Sequence, residues 1–293
     1  KLDLDLNLEN FDTSKMHFNI EKVTNDNFLK VFETNLIENT NSIKPQNLDS
    51  LTSELKFILS NENYNFTTGI QSFENLQLKN SDRYQYVLPY YNFNTTLFPN
   101  FKYGSINLNS SGNNNLNNTN QLKTQIINDV SYSSLNFILD NGIKNNLNFN
   151  LKNLNSAGKN ISEYKSSPEV QISSIFELNS ILPLKKQGLR YSNYLTPKIS
   201  LRWNPSDMED HNLSKRTINT DNIFSIDRLG LDDSFETGKS ITLGFDYKRE
   251  TVEDLNKYFD LKLATVYRDT EEKFIPKNTT LNKKNSNIFG SVS

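Results

Sequence analysis

The chain has 293 residues, 35% hydrophobic and 23% charged, with a formal net charge of -2 and a mean hydropathy of -0.65. No run approaches the roughly 18 uninterrupted apolar residues of a membrane helix, and near-neutral charge removes the basic excess expected of a nucleic-acid binder. Zero cysteines exclude a disulfide scaffold, a thiolate zinc site and a cysteine nucleophile within these residues, and two histidines leave a transition metal little to bind.

Asn supplies 46 residues, a bias that usually signals disorder or low complexity. Nineteen Phe and 13 Tyr argue against that reading, because a solvating disordered chain carries few aromatics. A fold in which half of every strand faces something polar accommodates both features. The chain opens at Lys1 inside a patterned segment and stops in mid-pattern at Ser293, so a segment cut at both ends is expected and targeting is not read from it.

The pattern starts at once. Lys1 to Glu9 alternates so that Leu2, Leu4, Leu6 and Leu8 share one face of an extended strand. Met16, Phe18 and Ile20 repeat the alternation. Leu48 to Leu59 has arguable helical spacing, but Leu55, Phe57 and Leu59 read equally well as a strand. Tyr84, Tyr86, Tyr90, Tyr91 and Phe93 form an aromatic cluster suited to a membrane-interface girdle. The Asn-rich stretch from Gly104 to Gln121 reads as two strands around a polar tip, with Ser111-Gly112-Asn113 and, later, Asp140-Asn141-Gly142 as tight turns. Leu147, Phe149 and Leu151 alternate next, then Ile199, Leu201 and Trp203, then Ile241, Leu243, Phe245 and Tyr247, and finally Leu261 and Leu263. Pro45, Pro99, Pro168, Pro205 and Pro276 fall at run edges, where a missing amide hydrogen costs nothing.

Allowing about ten residues per strand and as many per connection, the chain holds roughly 14 strands. No exact repeat and no Pro-rich or Gly/Ser linker divides it, so residues 1–293 read as one segment with a long loop at 204–239. A soluble sandwich or solenoid would also alternate, but it would bury the apolar face in a shared core. The predicted fold class is all-β: a fragment of an antiparallel transmembrane outer-membrane β-barrel, with lipid on the apolar face and closure satisfying the backbone.

Candidate chemistry is thin. Gly238-Lys239-Ser240 ends like a phosphate loop, but Asp233 stands where a glycine is required and a strand follows. Asp207, Glu209, Asp210 and His211 are an acidic cluster with oxygen ligands for Ca²⁺ or Mg²⁺, and Asp232, Asp233 and Glu236 are another; a solvated loop is the stronger reading of both. No Ser or Thr lies in a nucleophile elbow, and neither His17 nor His211 has a motif around it. No catalytic residue, cofactor or metal is therefore expected. In the long loop, Asp221 to Gly230 alternates enough to be ordered, and Arg228 has Asp227, Asp232 and Asp233 within reach along the chain for an ion pair.

Asp221-Asn222-Ile223-Phe224-Ser225-Ile226-Asp227-Arg228 and Asp233-Ser234-Phe235-Glu236-Thr237-Gly238 running on to Tyr247 resemble the loop and strand of the LptD (Imp/OstA) family of outer-membrane lipopolysaccharide assembly proteins. Ser81-Asp82-Arg83-Tyr84 to Pro89-Tyr90-Tyr91, Ile127-Asn128-Asp129-Val130, Leu182-Pro183-Leu184 and Leu195-Thr196-Pro197 to Arg202 follow in the matching order. The resemblance spans about Glu21 to Tyr247 and marks Asp82, Arg83, Tyr84, Pro89, Asn128, Asp129 and Pro197 as motif positions.

It implies the middle of a larger barrel that places lipopolysaccharide in the outer leaflet. The expected partners are lipopolysaccharide, outer-membrane lipids, an LptE-like plug lipoprotein and, through a jelly-roll domain not in these residues, a periplasmic LptA-like bridge. In that picture Asp221, Asn222, Phe224, Arg228, Asp233, Glu236 and Gly238 are lumen or loop packing determinants more than lipid ligands. The alternatives are a general porin or TonB-type transporter, which shares the alternation, and a soluble secreted β-rich adhesin, which buries its apolar face.

Overall fold

The computed structural model describes residues 1–31, 49–99, 101–162, 164–254 and 256–293. Pro45 and Leu48 lie outside the described residues. Within them no helix is long and apolar enough to cross a membrane, and the α-helix Phe28–Val31 is a single turn.

Strands dominate. They are β1 (Leu2–Asp5), β2 (Thr13–Asn19), β3 (Ser50–Ser60), β4 (Tyr64–Asn75), β5 (Tyr84–Leu97), β6 (Gly104–Asn117), β7 (Gln121–Ser134) and β8 (Phe137–Ile138). The remainder are β9 (Lys144–Lys159), β10 (Glu169–Ile181), β11 (Leu184–Gln187), β12 (Tyr191–Asn204), β13 (Gly238–Thr251), β14 (Tyr258–Arg268) and β15 (Phe289–Val292). They make one 15-stranded antiparallel sheet in sequence order, with the short β8 and β11 attached beside β9 and β12, and the order ends on β1 and β15 without closing. Ten of the strands run 11 to 16 residues, enough to cross a hydrocarbon layer at a tilt. Leu51 to Leu59 lies within β3, which settles the helix-or-strand ambiguity of that segment for the strand.

The chain divides into two compact units. The first comprises Lys1–Leu97, Asn107–Asn128 and Leu154–Gln171. Its apolar residues line up across strands, as in the row Phe18, Leu55, Ile70, and Leu2, Leu4, Phe18 and Ile70 are all exposed. Leu29, Leu51 and Leu76 form its one small apolar core among the described residues, with Val23 against it. The β4/β5 register slips between Gly69 and Gln71, opposite Leu88 and Pro89.

The expected turn at Ser111-Gly112-Asn113 is not there; all three residues continue β6, and the chain reverses at Asn118 and Thr119, both with positive φ. Gly112 serves a close approach instead. A Cβ there would overlap the Tyr91 ring, whose hydroxyl is hydrogen-bonded to Ser110 at 3.2 Å. By contrast Gly142 does turn the chain, at φ 85°.

The second unit comprises Phe98–Ile106, Asp129–Asn153 and Ile172–Ser293. Here the two faces of the sheet are inverted relative to a soluble protein. Ile199, Leu201, Trp203, Ile241 and Leu243 are exposed, while the residues between them, Ser200, Arg202, Asn204, Ser240 and Thr242, are buried. Register keeps the faces pure, since Leu201 pairs with Ile241 and Arg202 with Ser240. The apolar core of this unit lies on the polar face, where Ala264 and Val266 of β14 meet Met208, Ile223, Leu229 and Leu231 from the β12/β13 connection and Ile275 and Leu281 from the β14/β15 connection. The scattered apolar residues of the loop are thus its anchors.

Gly112→Ala is expected to destabilise the fold by about 1–3 kcal/mol through overpacking against Tyr91. A double-mutant cycle with Tyr91→Ala, read by urea unfolding in lipid vesicles, should show strong coupling; additive effects would refute this reading of Gly112.

Candidate functional site

The segment between β12 and β13, residues 205–237, carries no helix or strand, so its order has to come from side chains. The polar face beneath it supplies them. Arg202 of β12 donates from Nε to Glu177 Oε2 of β10 at 2.6 Å and from Nη2 to the Ile223 carbonyl of the loop at 3.2 Å. Arg228 of the loop forms a bidentate pair with Glu236, at 2.6 and 2.5 Å, and donates to Thr242 Oγ1 of β13 at 3.0 Å. Arg268 of β14 donates to the same Glu236 carboxylate and to the Thr237 carbonyl.

Five charged side chains therefore share one site, and each is at most 5% exposed. Three are cationic and two anionic. Glu177 is further satisfied by Ser200 Oγ at 3.1 Å and by the side-chain amides of Asn148 and Asn179. Burial of this many charges is tolerable only when each is paired and hydrogen-bonded, and carbonyls from the loop complete the set.

The grip extends along the loop. Lys152 of β9 is buried and donates to the Leu231 carbonyl at 2.6 Å, with its ammonium 5.0 Å from the centre of the Phe235 ring. Asn204 donates to the Phe235 carbonyl at 3.1 Å, and the Phe235 amide donates to Ser173 at 3.3 Å. Burial by itself would raise the Glu236 pKa, but the ion pair with Arg228, joined by Arg268 and Arg202, outweighs it and holds the carboxyl at about 2. Asp227 goes the other way: burial pushes it up, against Lys152 and the Gly230 and Leu231 amides.

Of the residues singled out in this loop, Arg228, Glu236 and Gly238 come together; a Cβ on Gly238 would press on Arg268 Nη2, and its φ is +84°. Phe224 lies 5.5 Å from the Lys198 ammonium and against Gly244. Asp221 pairs with Lys262 at 3.2 Å on the exposed side, and Asn222 ties the loop to itself through the Thr217 carbonyl at 2.8 Å. The expectation that Arg228 pairs with Asp227, Asp232 or Asp233 is wrong. Glu236 takes it, while Asp233 binds His211 at 2.9 Å and Asp227 accepts from the Gly230 amide. Asp210, from the acidic cluster, accepts from Asn212, and no group of three or more metal-binding side chains lies together among the described residues.

The other motif positions have separate roles. Arg83, in a turn of 3-10 helix beside Asp82, clamps Asp26 in bidentate fashion and Glu74 at 2.5 Å; Tyr84 also donates to Glu74. That ion pair holds Asp26 below the usual carboxylate range. Pro89 lies at the register slip, Asn128 accepts from Ser110 at 2.7 Å, and the Pro197 carbonyl accepts from the Leu182 amide. Asp129 has a buried oxygen with no hydrogen-bond partner.

Sequence reasoning missed Glu177, Arg202, Arg268 and Lys152. A signal was present: the chain has only seven arginines among 32 basic residues, and three of them are in this network. Arg on the polar parity of a strand in a Lys-rich chain points to a bidentate partner.

A family model, LptD: LPS transport system D, matches residues 8–293. No curated protein matches the chain.

Glu236→Gln leaves three buried guanidiniums around a neutral group and is expected to cost about 3–5 kcal/mol, read as faster proteolysis within 205–237. Because the folded pKa, about 2, lies below the ordinary value of 4.5, the stabilisation by Glu236 is complete above pH 4.5 and is lost as pH falls through about 2. Pepsin digestion across that window should show the wild-type loop becoming cleavable at the acid end, and Glu236→Gln cleavable throughout.

Proposed function

The chain belongs to the LptD family, and from that premise we propose that residues 1–293 are a membrane-embedded part of the barrel that places lipopolysaccharide in the outer leaflet. The family carries lipopolysaccharide to the outer membrane, resides there as a β-barrel, and is a transport family, not an enzyme family. The observation that carries the assignment to a membrane segment is the inverted sheet, with Leu201, Trp203 and Ile241 exposed and Arg202 and Ser240 buried between them. In water that arrangement is unfavourable by roughly 25 cal/mol for every Å² of apolar surface left exposed. Against lipid tails the penalty disappears, while the long strands keep their backbone groups paired. A secreted adhesin would have the opposite faces.

The docked loop gives the polar face its function in this reading. The Arg and Glu network holds residues 205–237 over β9 to β14, so this stretch of the polar face is a fixed wall in place of an open water channel. A general porin needs the channel. A transporter that hands an amphiphile from one side to the other needs its polar surface shaped and sealed while the sugars move. An LptE-like plug lipoprotein on the polar face and an LptA-like bridge on the periplasmic side are part of the same proposal.

Depleting the protein is expected to lower surface-exposed lipopolysaccharide and admit large apolar antibiotics. Arg228→Ala should give the same permeability defect in weaker form, and Arg228→Lys should restore little, since a point charge does not replace the bidentate pair. Normal assembly and normal permeability in Arg228→Ala would overturn the role given to the loop.

A further inference from the structure

The exposed face of the second unit is not uniform. A groove of about 960 Å³ opens on it, in the size range of small-molecule sites. Two cross-strand rows build it. One runs Phe149, Phe176, Trp203 and Lys239 over β9, β10, β12 and β13, with Phe149 and Phe176 ring centres 4.7 Å apart and Phe176 and Trp203 stacked at 5.5 Å. The other runs Leu178, Leu201, Ile241 and Tyr267. Trp203, Leu201, Ile241 and Tyr267 are all exposed, so the floor is aliphatic and aromatic.

Its chemistry changes at one end. Lys239 is exposed, pairs across the strands with Trp203, and has no carboxylate within salt-bridge distance. It is the second residue of β13, directly after the 205–237 loop. In outer-membrane barrels the long connections face outward and the short ones the periplasm. The β12/β13 and β14/β15 connections, 205–237 and 269–288, are long, and the β13/β14 connection, 252–257, is short. Lys239 thus marks the outer-leaflet end.

We propose that this groove binds one molecule of a phosphorylated, acylated glycolipid of the outer leaflet, the lipid A part of lipopolysaccharide, with an acyl chain over Trp203 and Leu201 and a phosphate on Lys239. A lone cation above an aromatic row is complementary to an anionic headgroup joined to hydrocarbon, and its position selects the outer-leaflet lipid over the phospholipid of the inner leaflet. The proposal rests on the reading of this sheet as membrane-embedded in a lipopolysaccharide transporter. It adds a holding site on the outer surface, separate from the loop-covered polar face.

Trp203 is the single tryptophan of these residues and reports on its own groove. The full-length protein in detergent is titrated with diphosphorylated lipid A, and the emission difference between wild type and Trp203→Phe isolates the signal. A saturable change is expected with lipid A and none with phosphatidylglycerol. Lys239→Gln should weaken the response about tenfold, as loss of one charge-assisted contact does, while heat-modifiable mobility on gels confirms a folded barrel. A linear, non-saturating response, an equal response to phosphatidylglycerol, or unchanged affinity in folded Lys239→Gln would overturn it. Saturable lipid A binding by a protein whose depletion leaves surface lipopolysaccharide unchanged would support the groove and sink the transport reading; unsaturable binding with the depletion defect intact would sink the groove alone.

Discussion

The constraint on which the rest depends is the exposure of the apolar face. Once Ile199, Leu201, Trp203, Ile241 and Leu243 face outward, the residues between them are forced to the other side, whatever they are. A soluble sheet solves its stability problem on that hidden side with hydrocarbon. This one has Ser200, Arg202, Asn204, Ser240, Thr242 and Arg268 there, and cannot. Polar groups removed from bulk water have to find partners in protein, and five neighbouring strands cannot supply them all, because a sheet has consumed its own backbone donors and acceptors in the ladder.

The connections supply what the sheet lacks. The 205–237 segment brings Arg228, Glu236 and the carbonyls of Ile223, Leu231, Phe235 and Thr237; together with the 269–288 segment it also brings the apolar side chains that close over Ala264 and Val266. Polar and apolar anchoring divide the surface between them. The ion network lies over β10, β12 and β13, and the apolar cluster lies over β14, so the loop is held at both margins. The loop is in turn irregular for a reason. A helix or strand would spend its carbonyls internally and leave Arg202, Arg268 and Lys152 without acceptors.

What could be read in the sequence follows the same division. Alternation at Ile199-Leu201-Trp203 and at Ile241 to Tyr247 is a local property, and it gave the strands and their faces. Arg228 also stood out, as the one Arg in the loop beside a run of carboxylates, but its partner was misassigned because adjacency in sequence favours Asp232 and Asp233 over Glu236, which only the fold of the loop brings back. Glu177 and Arg268 were illegible, since pairing residues from β10 and β14 requires knowing the register of three intervening contacts. Gly112 misled because glycine marks both a turn and a close approach, and nothing short of the Tyr91 ring distinguishes them. The 269–288 segment escaped notice altogether: Phe274, Ile275 and Leu281 have neither helical nor strand period, and their burial is set by the surface they land on.

The charge balance of the network explains why loop and strands cannot be stable separately. Three arginines face two glutamates, so one positive charge is left to be met by neutral oxygens, and two of those are loop carbonyls, at Ile223 and Thr237. If the loop lifts, Arg202 keeps Glu177 but loses the Ile223 carbonyl, and Arg268 loses the Glu236 carboxylate and the Thr237 carbonyl together. The strands then hold a buried guanidinium with no anion. The loop, for its part, keeps the Arg228 and Glu236 pair, which is internal to it and forms without the sheet. Docking is therefore driven from the strand side, by the unmet charge of Arg268. An apolar interface of the same area would have bound as well or better, but it would have accepted several registers; a carboxylate between two guanidiniums accepts one. For a wall that has to keep its shape while an amphiphile passes along it, a single register matters more than additional stability.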